Sequence, residues 1–299
     1  MHAIDSSTWR EAAAAHALRS HALTDAHRAR KQRGETHPIE DFLWTYYSVK
    51  PNELHKWHPG AGVALEGAAE ERAAWKYYGQ VASPNGSPAA IVDIEAYFAR
   101  REATVNFIEE LLTATLAHTP RYGCFGLHEW AMVYRMTPEQ LRHTSLPLRI
   151  GQEATNEVVE THTIGCTHFD AFRFFTPDAA PLNTLPLSRD TQQDTEQAGC
   201  LHAGMDLYKW AAKLGPIVPG EVLLDAFVFA RDIREVDMRA SPYDVTGYDG
   251  ADGAPLTPIT IENADGKREY ARLQRGFAER GNAIRARLLD AIAAAKHAR

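Results

Sequence analysis

From Ile91 to Ala117 apolar side chains recur at Ile91, Ile94, Tyr97, Phe98, Val105, Ile108, Leu111, Leu112 and Leu116. This is the i, i+3, i+4, i+7 rhythm of a long helix with one buried face, and the rest of the chain must supply that face with partners. Four further stretches are helical in character. Thr8 followed by Glu11 has capping-box spacing, and the alanine-rich run after it extends to Gly34, with His16 and His27 on its surface. A second helical stretch runs from Leu201 to Met238, with Asp237 to Asp244 as a polar exit loop. A third, charged and amphipathic, begins at Lys267. The segment 37–48 carries aromatic residues on every side and reads as a buried helix.

Strand character lies mainly between Leu146 and Phe175, and Ile259, Ile261 and Asp265-Gly266 suggest a hairpin. Runs of helices around a small antiparallel sheet make this an α+β chain rather than a regular βαβ alternation. It reads as one globular domain over residues 1–299, with a weak division at most near 82–88, where Ala-Ser-Pro-Asn-Gly-Ser-Pro forms a turn. A hydrophobic share of 44% over 299 residues is enough for a sizeable core.

Composition excludes several function classes. There is no run long enough to span a membrane and no apolar N-terminal segment of the signal-peptide type, so a cytoplasmic protein is expected. Lysine and arginine total 32 against 39 acidic residues, a formal charge of -7. Long-range attraction to nucleic acid is therefore not expected. Cys124, Cys166 and Cys200 fit neither a disulfide framework nor a zinc knuckle. Each precedes a histidine by two or four residues: His128, His168 and His202.

The candidate chemistry gathers between Glu160 and Lys209. Read as a strand, residues 160–175 put Glu160, His162, Cys166, His168 and Asp170 on one face, with His168 and Asp170 about 6.6 Å apart. A polar loop follows, and then a helix on which His202 and Asp206 lie one turn apart, with Lys209 three residues further on. His168, Asp170, His202 and Asp206 make a two-histidine, two-carboxylate set suited to one divalent metal, whether zinc, iron or manganese. Glu160, Glu196 or Lys209 would supply acid-base chemistry or hold the substrate's charge. His128 and Glu129 belong on a pocket rim, and Arg173 is a further candidate for substrate binding. Against this stands the ordinary role of a histidine on a half-apolar face, which is to be satisfied by a backbone group or a carboxylate.

Five blocks carry a resemblance: His37-Pro-Ile-Glu-Asp-Phe-Leu-Trp-Thr-Tyr-Tyr, Trp57-His-Pro-Gly-Ala-Gly-Val, Cys124-Phe-Gly-Leu-His-Glu-Trp-Ala-Met-Val-Tyr, Cys166-Thr-His-Phe-Asp-Ala-Phe-Arg-Phe-Phe-Thr-Pro and Gly199-Cys-Leu-His-Ala-Gly-Met-Asp-Leu-Tyr-Lys-Trp. Together they span most of the chain, which resembles a bacterial family filed as 3-methyladenine DNA glycosylase. The resemblance implies a DNA repair enzyme that hydrolyses the N-glycosidic bond of an alkylated purine. Asp170 or Glu129 would be its essential carboxylate, and Trp44, Tyr46 and Tyr47 would stack on the damaged base. Two alternatives remain open from the residues alone. One is a metal-dependent hydrolase or oxygenase acting on a small polar molecule, and the other is a non-catalytic protein that holds a small ligand.

Overall fold

Asp5 sets the start of the first helix: its carboxylate accepts from the N–H groups of Ser7 (2.9 Å) and Thr8 (3.0 Å). It, and not the expected Thr8 and Glu11 pair, satisfies the free donors of the first turn. The structure, a computed structural model, describes residues 2–141 and 145–299. Strand β1 (His2–Ile4) leads into α1 (Ser6–Gln32), which ends just before Gly34 at φ +71°. Short helices α2 (Phe42–Tyr46) and α3 (Pro51–Leu54) follow. Then come β2 (Val63–Glu66), α4 (Ala69–Arg72), β3 (Tyr78–Ala82) and β4 (Pro88–Val92).

The four strands form one mixed sheet in the order β1-β2-β4-β3. β1 pairs with β2 in parallel, while the other two pairings are antiparallel. The fold is thus mainly helical α+β, but its sheet is neither purely antiparallel nor where the sequence suggested. Segment 82–88 is simply the turn joining β3 to β4. Residues 146–175 hold no strand: α7 (Gly151–Thr161) occupies the first half, with Thr155, Val158 and Val159 buried at helical spacing. In the second half, residues 162–168 are extended and then enter α8 (Phe169–Phe172). They pair with residues 183–184 through one isolated bridge, where the Thr184 N–H donates to the Ile164 carbonyl (2.9 Å), and through the Asn183 side chain, which accepts from the Cys166 N–H (2.8 Å) and donates to the Cys166 carbonyl (3.1 Å). The expected hairpin near Ile259 is also absent. Those isoleucines are core residues of a loop, and Asp265-Gly266 lies in the first turn of the last helix.

The long helix predicted from the apolar rhythm is α5 (Ile94–Ala117). It joins a bundle made by α10 (Leu201–Leu214), α11 (Gly220–Ala240) and α12 (Ala264–His297). Short α6 (Leu127–Ala131) and α9 (Gln192–Thr195) cover its flank. α10 lies at the centre. Its Gly204 admits α11 closely, because a Cβ there would stand 2.8 Å from Ile233 Cδ1 and 3.3 Å from Phe229 Cε1. α11 runs on to Ala240, so Asp237 sits within a buried helix rather than in an exit loop. His16 is likewise buried, bonded to the Leu54 carbonyl at 2.7 Å, and not on the surface of α1. No helix among the described residues is long and apolar enough to cross a membrane.

Candidate functional site

α6 is delivered to the bundle by a tight turn in which Phe125 (φ +48°) and Gly126 (φ +74°) are both left-handed. Gly126 is needed for space as well, since a Cβ there would meet Ala240 Cβ at 3.3 Å and Tyr270 Cε2 at 3.4 Å. Trp130 Nε1 then donates to the Ala240 carbonyl at 2.9 Å and fixes α6 against the end of α11. This close seating carries His128 and Glu129 to Arg234 and Asp237 of α11 and to His202 of α10.

His128, Glu129, His202 and Asp237 are all buried, and each offers one donor atom within 4.8 Å of the other three. Three donors in this group are unusual. His128 Nε2 and Asp237 Oδ1 lie 3.1 Å apart but make no well-directed hydrogen bond, and His202 Nδ1 has no partner. Buried polar atoms are nearly always paired. Glu129 is held by Arg234 at 3.0 Å. Burial, with His128 and His168 beside it, pushes His202 down to about 3, so its imidazole is neutral, as a metal ligand must be. Burial opposes charge on His128, but Asp237 and Cys124 beside it raise it well above its usual value. Asp237 is held low against its own burial by His128, His202 and Arg234. Burial and neighbouring Asp237 raise Glu129, with Arg234 opposing.

A second, closed network abuts the first: the His168 and His202 ring centroids are 5.5 Å apart. His168 opens α8, where its Nδ1 accepts from the Ala171 N–H at 3.2 Å, which leaves the proton on Nε2 to face Asp206 Oδ2 at 3.2 Å. Asp206 also accepts from the Tyr47 hydroxyl (2.8 Å) and from Lys209. Lys209 reaches Asp170 at 3.2 Å, and Asp170 accepts from Arg189 at 2.9 Å. Burial works against charge on Asp206, yet Lys209 and His168 hold it far below the usual carboxylate range.

Of the four residues first grouped as metal ligands, only His202 belongs to the convergent donors, while His168 pairs directly with Asp206 and Lys209 joins Asp206 to Asp170. His128 and Glu129, expected on a rim, lie inside. Glu160 is exposed on α7, paired with the Tyr134 hydroxyl (2.8 Å) and with Arg135 (3.1 Å), because its segment is a helix that faces away. Trp44 packs on His27 and Phe227 and does not reach the site. Arg173 sits outside, 3.2 Å from Asp170. Glu196 is buried against Gln192 at 2.7 Å, its pKa raised by burial. Asp237 and Arg234 were missed. Their signal was available, since a charged pair three residues apart interrupts the apolar sequence Ile233, Val236, Met238.

Two cavities flank His202. The larger, about 260 Å³, is lined by Cys124, Cys166 and Cys200 together with His128, His168 and His202, so the recurrent Cys and His spacings converge in space. Burial raises the Cys166 and Cys200 thiols, which disfavours thiolate chemistry there. The smaller, about 60 Å³, has Phe42, Tyr46 and Phe174 on its walls with Glu129 and Asp170. Comparisons with protein-family models, curated proteins and solved structures find no match to this chain.

Proposed function

We propose that the chain is a metal-dependent enzyme, a hydrolase or an oxygenase, acting on a small polar substrate in the larger cavity. The observation that carries this reading is the convergence of four buried ligand atoms, on His128, Glu129, His202 and Asp237, from three separate helices, with His202 Nδ1 left without a partner. Two imidazoles and two carboxylates suit zinc, iron or manganese. A bound divalent ion would act there as a Lewis acid or activate a water. Arg234 orients Glu129 and offsets its charge. His168 lines the same cavity, and Asp206, itself held by Lys209, fixes the orientation of its ring.

Elemental analysis of the purified protein tests this. About one equivalent of metal, retained on dialysis and lost in His202→Ala and Asp237→Ala, is the expected result. A metal-free protein that binds no zinc, iron or manganese at micromolar concentrations would end the reading.

A second reading follows the family resemblance: hydrolysis of the N-glycosidic bond of an alkylated purine. What favours it is the smaller cavity, where Phe42, Tyr46 and Phe174 share a wall with Glu129 and Asp170. Purified protein should then release 3-methyladenine from alkylated duplex DNA. Release no faster than from an Asp170→Asn control would sink this reading.

A further inference from the structure

At the opposite end of α10 from His202 lies a groove of about 250 Å³ with a different character. Lys56, Lys76, Arg101 and Lys213 all line it, each from a different segment of the chain. Its single carboxylate, Glu53, is already bonded through both oxygens to Lys56 (3.0 Å each). Among the described residues no carboxylate lies within ion-pair distance of Lys76, Arg101 or Lys213. In a chain of net charge -7 such a concentration of unpaired cations is not background.

Serving the negative end of α10 accounts for only part of the cluster. Arg101 donates to the Lys213 carbonyl and the Tyr97 hydroxyl donates to the Leu214 carbonyl (2.8 Å), so the end of the helix is already covered. Lys56 and Lys76 belong to other segments. The groove also has aromatic walls, Trp75 and Tyr77. Tyr77 is held in the left-handed region at φ +64°, a strained conformation for a non-glycine residue. Its carbonyl accepts from the Asp93 N–H at 2.8 Å and its ring meets Tyr97 edge-on at 5.2 Å, so the strained backbone is locked with the ring beside the cations.

We propose that this groove binds a small organic phosphate, with Lys76, Arg101 and Lys213 around the phosphoryl oxygens and Trp75 and Tyr77 against the organic part. Three cations lining one groove favour a multiply charged anion over a monocarboxylate, and arginine matches phosphate geometry in particular. The site does not depend on the metal reading and can stand or fall alone.

Isothermal titration with adenosine monophosphate and with pyrophosphate, on the full chain at low salt, tests it. Citrate serves as a phosphate-free polyanion. Saturable binding is expected, weakening at high salt and reduced roughly tenfold or more in Arg101→Glu and in Lys76→Glu, as loss of a charge-assisted contact implies. The exposed Lys31→Glu control on α1 should bind within about twofold of wild type, since it lies outside the groove. Lys76 is exposed, so its variant remains informative if Arg101→Glu proves unstable. No saturable binding of either phosphate, equal binding by Lys76→Glu, or citrate binding as tight as the phosphates would overturn the proposal.

Discussion

Two clusters of buried charge share α10, and they are finished to different degrees. Around Asp206 every polar atom has a partner: His168, Tyr47 and Lys209 all point at one carboxylate, and Lys209 goes on to Asp170. Around His202, one turn earlier, His202 Nδ1 has no partner, and His128 Nε2 and Asp237 Oδ1 face each other at 3.1 Å without a well-directed hydrogen bond. Both clusters are buried, so burial alone does not explain the contrast. A paired network orders and holds; an unpaired one leaves valences for something else. The two regions therefore predict opposite responses to substitution and to metal.

The largest effect should come from breaking the paired network. Asp206→Ala would strand His168 and the Tyr47 hydroxyl in the interior and leave Lys209 with Asp170 alone, and losing one partner of a buried ion pair costs about 3–5 kcal/mol. Urea denaturation of metal-free protein measures this directly. A loss below about 1 kcal/mol would mean that the network is not the structural half of the pair.

The unpaired cluster should behave in the reverse sense. His202→Ala removes a ring whose Nδ1 bonds nothing, so the metal-free protein should lose no more than about 2 kcal/mol, within the ordinary range for single substitutions. Wild type should gain about 2.7 kcal/mol from metal at a hundredfold excess over its Kd, and the variant should gain none. Equal metal-induced stabilisation in both proteins would erase the distinction between the clusters.

Legibility in the sequence follows the same division. The long helices were readable because their apolar period is sustained over many turns, as in α5, α10 and α12. The sheet was not, because β2 and β4 are only four and five residues long and their pairing is set by tertiary contact. Residues 160–175 misled because His168 caps a helix and Asn183 replaces a strand partner, both side-chain events that periodicity does not record. His202, His128 and Glu129 were visible as chemistry-bearing residues. Their union with Asp237 was not, since it depends on the left-handed turn at Phe125-Gly126 bringing α6 onto α11.

Acid should act on the paired network through its carboxylates. Burial alone would raise Asp170, but Lys209 foremost, then His168 and Arg189, lower it, and Asp206 is lowered in the same way. A carboxylate depressed in the folded state contributes stability that is fully present above its unfolded pKa, near 3.9, and is lost as pH falls through the folded value. Stability should therefore decline below about pH 4, by up to about 1.4 kcal/mol per pH unit for each proton taken up. Asp170→Asn removes one such proton and should flatten that acid limb. An unchanged slope between pH 4 and pH 2, followed by denaturant titration at each pH, would show that Asp170 is not part of the linkage.

The smallest effect on stability should come from the residue between the two clusters, Gly204, which sits on α10 two residues after His202 and two before Asp206. A methyl group there presses on Ile233 Cδ1 at 2.8 Å and Phe229 Cε1 at 3.3 Å, both on α11. Overpacking of this kind costs about 1–3 kcal/mol, while replacing glycine by alanine inside a helix returns about 1 kcal/mol. Ile233 Cδ1 is the free end of a side chain and can turn aside, so Gly204→Ala should change stability by about 1 kcal/mol or less. Geometry should suffer more than stability. α11 carries Asp237 and Arg234, so a shift of a few tenths of an ångström between α10 and α11 moves His202 relative to them. The partners of Asp206 other than α10 itself come from α8 and the segment after α2, which that shift leaves in place. Metal affinity should therefore fall in Gly204→Ala while the acid limb of stability keeps its wild-type slope. An unaltered metal affinity beside a changed acid limb would reverse the assignment of the two clusters.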